Sequence, residues 1–446
     1  MRLLSGLSAP SVITLSVIAF LLTSCDTPAP STIAGTGPSI EAVSPAASSA
    51  LGADSDARAA PGTFAAEVLE APVVAVEPAD TGTGFVRAGV LTAGDIDDTL
   101  NLSAFTRYLA AAKASTGLPL TNFAAPVMAQ LIGPDGTPAP GQRITLRLAG
   151  AADPFYDGYS GVNGMVTVFP AMLGAGAPRS VELRAFGEQQ EPISQTISTG
   201  NRTQVQVATS GPATPDFLDL VFVVDATGSM GDELEWLTRD LNRIVTRATQ
   251  GLPGIDTRYG LIVYRDTGDE YVVRSYAFTG SAGEMRRELR AQTADAGGDY
   301  PEAAAAAMEA AMALQWRRGN GERLLFQVAD APPHPGDSDR YLAAARVAAR
   351  NNIQIFGLGA SGVGDEAEYL MRQAAAQTGG RYLFLTDDSG VGNAHQEPRV
   401  SCYLVTELGD LMARVLRSEL TGQRIEPDPS SIIRAVGSYQ NGVCRE

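Results

Sequence analysis

Lysine is almost missing from this chain: Lys113 is the single one in 446 residues, so nearly all of the 33 basic side chains are arginine. We read that bias as base composition rather than function. Acidic residues number 50 and the net charge is -17. No basic stripe is visible, which excludes nucleic acid, because phosphate binding rests on clustered Lys and Arg. Protein partners are expected instead. Only two histidines are present, too few for the His-rich or two-metal constellation of a metallohydrolase. Three cysteines have no base or His pattern beside them of the kind nucleophilic catalysis needs, and no Gly-Lys-Ser/Thr phosphate loop occurs. The N-terminal apolar segment from Val12 to Leu22 is too short to span a bilayer comfortably. What the chain does have is 44% hydrophobic residues, enough to bury more than one core.

The most informative stretch is Asp225-Ala226-Thr227-Gly228-Ser229-Met230, which directly follows the apolar run Leu220 to Val224. A run without polar alternation suits a strand covered on both faces, as in a parallel sheet between helices. Asp225 then sits at the carboxyl end of that strand, where open α/β sheets bind ligands. One carboxylate and two hydroxyls gathered there are hard oxygen donors, suited to a divalent cation such as Mg²⁺, with Mn²⁺ or Ca²⁺ as substitutes. Asp, Thr and Ser at a strand end also serve as helix N-caps, the competing reading of the same residues.

The segment resembles the Asp-x-Ser/Thr-x-Ser motif of von Willebrand factor A domains, which builds their metal-ion-dependent adhesion site. Two further loops match that family in order: Gly297-Gly298-Asp299-Tyr300-Pro301-Glu302-Ala303, and Asp330-Ala331-Pro332-Pro333-His334 after the apolar run Leu324 to Ala329. The resemblance covers residues 216–425. It implies a metal site of Asp225, Thr227, Ser229, Asp299 and Asp330, and a Rossmann-like, doubly wound α/β fold with a mostly parallel six-stranded sheet. Adhesion members carry a Thr where Asp299 stands. The Gly-Gly-Asp-x-Pro-Glu loop is similar to that of an intracellular and bacterial branch. Three ionised carboxylates around a divalent ion leave a formal charge of about minus one, which weakens attraction for an acidic partner.

Glu302 follows Pro301 at an expected helix start, where an acid suits the helix dipole, and we assign it to capping. His334 in a Pro-rich turn is read as structural rather than as a ligand. Gly357-Leu358-Gly359-Ala360-Ser361-Gly362 mimics a dinucleotide fingerprint, with Asp387 ending the next strand. That unit comes last in the sheet, whereas a dinucleotide domain places it first, so the glycines are read as a permissive loop.

The N-terminal run ends in Leu22-Thr23-Ser24-Cys25, which resembles a bacterial lipobox. Cleavage before Cys25 and its lipidation are implied, with residues 1–24 as signal peptide and an extracytoplasmic, membrane-anchored location in the cell envelope. Which membrane is left open. Residues 25–83, rich in Ala, Pro, Ser and Gly, read as a tether. Removing Cys25 leaves Cys402 and Cys444, an even pair that a disulfide would join in an oxidising compartment; two free buried thiols are the other reading.

Residues 84–122 read as a short helical segment: an acidic turn, Asp95-Ile96-Asp97-Asp98, taken as helix capping, then Leu102, Phe105 and Leu109 at helical spacing. Residues 123–210 carry short β-runs between Pro/Gly/Asp turns, the pattern of a small antiparallel sandwich that loosely resembles immunoglobulin-like and carboxypeptidase-regulatory modules. In residues 216–425 strands and helices alternate, closing on a helix from Leu404 to Leu420, and residues 426–446 form a tail. We expect a binding module rather than an enzyme, docking an unidentified protein partner at the metal site. A metal-dependent hydrolase and an envelope scaffold with a purely stabilising metal stand as alternatives.

Overall fold

The structure is a computed structural model and describes residues 90–187, 192–208, 214–252, 254–298, 300–389 and 397–445. The signal peptide, Cys25, the tether and Asp299 lie outside the described residues. Among the described residues no helix is long and apolar enough to cross a membrane.

A mixed α/β body forms around one large sheet. Its strands are β1 (Thr92–Ile96) and, after a β-sandwich, β9 (Phe217–Asp225), β10 (Asp256–Tyr264), β11 (Val273–Thr279), β12 (Gly321–Ala329), β13 (Gln354–Gly359), β14 (Tyr382–Thr386), β15 (Tyr403–Glu407) and β16 (Arg434–Val436). They lie in the order β11-β10-β9-β12-β13-β14-β1-β15-β16. The run from β10 through β9, β12 and β13 to β14 is parallel, with β11 antiparallel at one edge.

Every position of β9 is buried, as a central strand covered on both faces requires. Leu218, Leu220, Phe222 and Val224 enter one core with α2 (Gly231–Thr249), α3 (Ala282–Arg290) and α7 (Leu408–Thr421). Val221 and Val223 enter the other with α1 (Leu102–Thr116), α4 (Ala304–Met312), α5 (Ser338–Arg350) and α6 (Asp365–Thr378). The period-2 alternation of a strand thus divides one apolar run between two helical layers.

Six of these strands make the expected sheet; three more extend it to nine. β1 comes from the segment read as an acidic turn and a helix. It pairs antiparallel with β14, from Thr92 opposite Thr386 to Ile96 opposite Tyr382, and with β15 on its other side. Its acids enter the interior because distant arginines meet them: Asp95 lies 3.5 Å from Arg381 and 3.6 Å from Arg424, and Asp98 pairs with Arg372 at 2.7 Å. The closing helix is also shorter than expected. Tyr403–Glu407 is β15, and α7 begins only at Leu408, because an apolar, β-branched run beside β1 gains ladder bonds as a strand.

Between α1 and β9 the chain forms the sandwich: β2 (Val127–Ile132), β3 (Arg143–Arg147), β4 (Tyr156–Tyr159), β5 (Met165–Val168), β6 (Ser180–Ala185), β7 (Ile193–Ser198) and β8 (Arg202–Gln206). One sheet runs β5-β2-β8 and the other β4-β3-β6-β7. The expectation of a wholly antiparallel sandwich needs correction, since β2 and β8 pair in parallel. The sandwich core takes in Ala349 from α5, and Phe123 packs edge-on against both Phe105 and Phe169.

A disulfide joins Cys402 to Cys444 across 42 residues, with Cα atoms 5.3 Å apart. It fixes the tail that supplies β16 to the segment entering β15. On the chain-entropy account a loop of this length contributes about 4 kcal/mol. Cys402→Ser combined with Cys444→Ser is expected to lower the denaturation midpoint in guanidinium by a matching amount, without loss of far-ultraviolet circular dichroism under native conditions.

Candidate functional site at the carboxyl edge of the sheet

Asp225 is the last residue of β9 and 0% exposed. Its Oδ1 accepts hydrogen bonds from Thr227 N at 2.9 Å and Thr227 Oγ1 at 2.7 Å. Its Oδ2 is buried with no partner. A carboxylate oxygen buried without a partner keeps its desolvation cost. Burial, aided by the charge of Asp330, raises the Asp225 carboxyl to about 7.

Helix capping does not account for these side chains. The turn Gly228–Met230 leads into α2, and neither Thr227 nor Met230 makes a side-chain cap bond. Asp330 follows β12, the parallel neighbour of β9, and so reaches the same edge. Desolvation raises its carboxyl as well, opposed by the hydroxyl of Ser229. The structure thus brings Asp225, Thr227, Ser229 and Asp330 together. Asp299, expected in the same shell, lies outside the described residues.

The loop before Asp299 is laced to the motif through the backbone: Asp295 N donates to Ala226 O, and Gly228 N to Ala296 O, both at 3.1 Å. Gly297 has φ +74, and a Cβ there would stand 2.9 Å from Thr227 Cβ and 3.0 Å from Glu302 Oε1. Only glycine satisfies both the backbone and the space.

That contact also corrects the reading of Glu302. It does not cap α4, whose first turn has no acid and whose N-cap, Ala303, makes no side-chain bond. Its backbone forms a bridge with Pro333, with Glu302 N donating to Pro332 O at 2.9 Å. The bridge turns the side chain inward, where it is 4% exposed with Oε2 unpaired. Burial first, and then the charges of Asp225, Asp266, Asp269 and Asp330, push its carboxyl to about 9. No local signal marks this role; the Pro301-Glu302 pair looks like a helix start until the Pro332 strand end lies beside it.

Glu233, in the first turn of α2, is a further buried acid here. Its Oε1 accepts from Ser361 N at 3.1 Å and Ser361 Oγ at 2.7 Å, and its Oε2 is unpaired. Ser361 belongs to the glycine loop that mimics a dinucleotide fingerprint, so that loop forms part of this rim. Gly359 in it faces Tyr382, whose Oη would stand 2.3 Å from an added Cβ; close packing explains the glycine. Gly364 N donates to Tyr300 Oη at 2.7 Å, tying two rim loops. His334 Nε2 lies 2.7 Å from Asp266 Oδ1, a pairing within the acidic surround.

Among the described residues no three His, Cys, Asp or Glu side chains form a group that could hold a metal by themselves. The donors at this edge are mixed, hydroxyls beside carboxylates. Unpaired oxygens on Asp225, Glu233 and Glu302 in a buried, net negative setting have the chemistry that suits a hard cation.

Residues 219–392 match the family model described as von Willebrand factor A domain. Those residues are a von Willebrand factor A domain. Among curated relatives the chain is similar to a putative ariadne-like RING finger protein of Acanthamoeba polyphaga mimivirus, 32% identical over 117 residues, which is 26% of this chain and 11% of that one. It is also similar to an alpha-protein kinase of Dictyostelium discoideum, 30% identical over 118 residues, 26% of this chain and 19% of the other. The chain therefore spans less than a fifth of the length of either relative. Among solved structures it is similar to BatB of Bacteroides thetaiotaomicron, a conserved hypothetical protein, at 17% identity and a TM-score of 0.30 over 40% of this chain and 91% of that one. Von Willebrand factor A domains are generally interaction modules, and they often mediate contacts between proteins.

Two outcomes follow from the geometry. Gly297→Ala is expected to destabilise the protein by about 1–2 kcal/mol, from the left-handed backbone alone, measured by denaturant unfolding. The raised carboxyls of Asp225 and Glu302 contribute to the pH dependence without added cation. Above the unfolded values near 4 the native state holds more protons than the unfolded chain, so stability falls as pH rises towards 7 and on to 9. Thermal midpoints in EDTA should drop between pH 5 and pH 8, and drop less in Asp225→Asn.

Proposed function

We propose that this von Willebrand factor A domain protein is a lipid-anchored, extracytoplasmic binding module of the bacterial cell envelope that docks a protein partner at a divalent-metal site, without enzymatic turnover. The observation that carries the reading is the unpaired Oδ2 of buried Asp225 at the carboxyl end of β9, beside the hydroxyls of Thr227 and Ser229 and the carboxylate of Asp330. Mg²⁺ is the proposed occupant, with Mn²⁺ or Ca²⁺ as substitutes. Asp225, Thr227, Ser229, Asp299 and Asp330 would hold it, and the bound ion would supply positive charge and an open coordination position for an oxygen of the partner.

The chain's own residues then set selectivity. Asp266 and Asp269, whose charges act on Glu302, add negative charge around the site, which disfavours an acidic contact surface. Tyr300 is partly exposed on the rim and held by Gly364 N, the kind of fixed aromatic that serves as an interface anchor. Anchoring rests on the Leu22-Thr23-Ser24-Cys25 motif, with residues 25–83 as tether and the β-sandwich as stalk or second contact.

Isothermal titration of Mg²⁺, Mn²⁺ and Ca²⁺ into the wild type and Asp225→Ala tests the site. A saturable heat in the wild type, weakened at least about tenfold in the variant, is expected, because a lost charged ligand costs about 1.5–3 kcal/mol; equal heats from both proteins would remove the metal from the proposal. Affinity capture from membranes with and without EDTA, followed by mass spectrometry, tests docking. A partner recovered only without EDTA supports it. Capture that survives EDTA while thermal stability falls would favour the scaffold reading instead.

A further inference from the structure

The dipeptide Asn-Gly occurs three times in the chain, at Asn163, Asn320 and Asn441. In this pair the backbone nitrogen of the second residue can attack the side-chain amide of the first, because glycine sets no side chain beside that nitrogen. The attack closes a five-membered ring, so the peptide plane between the two residues has to turn towards the Asn side chain. Any hydrogen bond to that plane or to that side chain opposes the turn.

Two of the three are held. Gly164 N donates to Gly161 O at 3.0 Å, and Asn163 O accepts from Gln130 Nε2 at 3.2 Å. Asn163 Oδ1 also accepts from Arg424 N at 3.3 Å, so plane and side chain are both tied. Asn320 O accepts from Asp216 N at 3.0 Å. Gly321 then opens β12 in register with Phe217 of β9, whose ring would lie 2.5 Å from a Cβ added at Gly321. That plane is packed into the start of the sheet.

Asn441 differs from both. With Gly442 it forms the two-residue loop between β17 (Tyr439–Gln440) and β18 (Val443–Cys444), in which Tyr439 pairs with Cys444 and Gln440 with Val443. The two loop residues have φ +50 and +81, the type I′ turn that Asn-Gly favours. The central peptide of such a loop stands outside the ladder. Among the described residues Asn441 O, Gly442 N and the Asn441 side-chain amide have no hydrogen-bond partner, and Asn441 is exposed.

We propose that Asn441 is a site of spontaneous modification to aspartate and isoaspartate. Gly442 N forms a bond to Asn441 Cγ and gives up its proton, the side-chain nitrogen leaves as ammonia, and water opens the resulting succinimide at either carbonyl. Opening at the backbone carbonyl leaves isoaspartate, which carries the main chain through Cγ and lengthens it by one carbon. Gly442 O and Cys444 N bond Asn101 Nδ2 and Oδ1, each at 2.8 Å. The longer turn displaces both bonds, so the hairpin loosens from the start of α1 while the Cys402–Cys444 disulfide keeps it attached. The site is separate from the metal site and does not depend on that assignment.

Timed incubation of the whole chain at pH 8, then reduction, trypsin and mass spectrometry against an unincubated control, reads each amide separately, with Asn441 in the peptide Ala435–Arg445. Asn441 is expected to convert severalfold faster than Asn163 and Asn320, with isoaspartate among the products, and in urea the three rates should draw together. Hydrogen exchange in β17 and β18 should rise in the incubated wild type and not in incubated Asn441→Gln, whose longer side chain closes its ring far more slowly. No conversion at Asn441 in the folded chain, or conversion at Asn163 or Asn320 at an equal rate, would overturn the assignment. Unchanged exchange after conversion would overturn the loosening of the hairpin.

Discussion

Two carboxylates on the same buried strand meet opposite fates, and the contrast organises the molecule. Asp219, near the start of β9, loses hydration on burial, yet hydrogen bonds from Arg258 and Arg317 hold its carboxyl below the usual range. Asp225, at the other end, is met among the described residues by the uncharged groups of Thr227 and Tyr264 and keeps one oxygen unpaired. A buried charge is tolerated when opposite charge and donors surround it, and is otherwise a debt against folding. The base of the sheet is therefore closed by protein groups. The opposite edge is left short of positive charge, and the surrounding acids deepen the deficit rather than relieve it.

The same requirement explains how the segment before the sandwich enters the sheet. β1 carries Asp95 inward and is followed by Asp98, both near-fully buried. Arg372 grips Asp98 through two nitrogens, also holds Glu368, and lies over the ring of Tyr108. Arg381 and Arg424 meet Asp95. An acidic turn thus becomes a central strand because three arginines from beyond residue 370 reach it. Removing any one would leave a buried charge unmatched, which is why β1, α6 and the segment after α7 form one cooperative unit rather than appendages to a six-stranded domain.

The carboxyl edge is assembled on strand ends from pieces far apart in sequence. Asp225 and Asp330 arrive on adjacent parallel strands, Gly297 brings its loop against Thr227, and Ser361 holds Glu233 in place. Placing polar side chains on strand ends fixes their spacing to within the tolerance a coordination shell needs. The sandwich stands at the far edge of the sheet, leaving this rim clear of it.

How much was legible follows from the range of the interactions. The uninterrupted apolar run of β9 and the Asp, Thr and Ser after it announced a buried strand ending in oxygen donors, and the alternation of strands and helices announced the layers, because those patterns depend on periodicity within a dozen residues. Glu302 was misread because a proline before an acid is also how a helix begins; the bridge to Pro333 that turns it inward joins segments about thirty residues apart. β1 and β15 were hidden for the same reason: Asp95 looks solvated until Arg381 and Arg424 arrive, and Tyr403–Glu407 suits either a strand or the first turn of a helix until β1 offers its ladder. By itself the sequence determined which strands are buried and where their oxygen donors emerge, since local patterning dictates which face meets apolar surroundings. Tertiary structure alone decided which of the many acids are neutralised and which are left unpaired, since that balance depends on charges brought together from opposite ends of the chain.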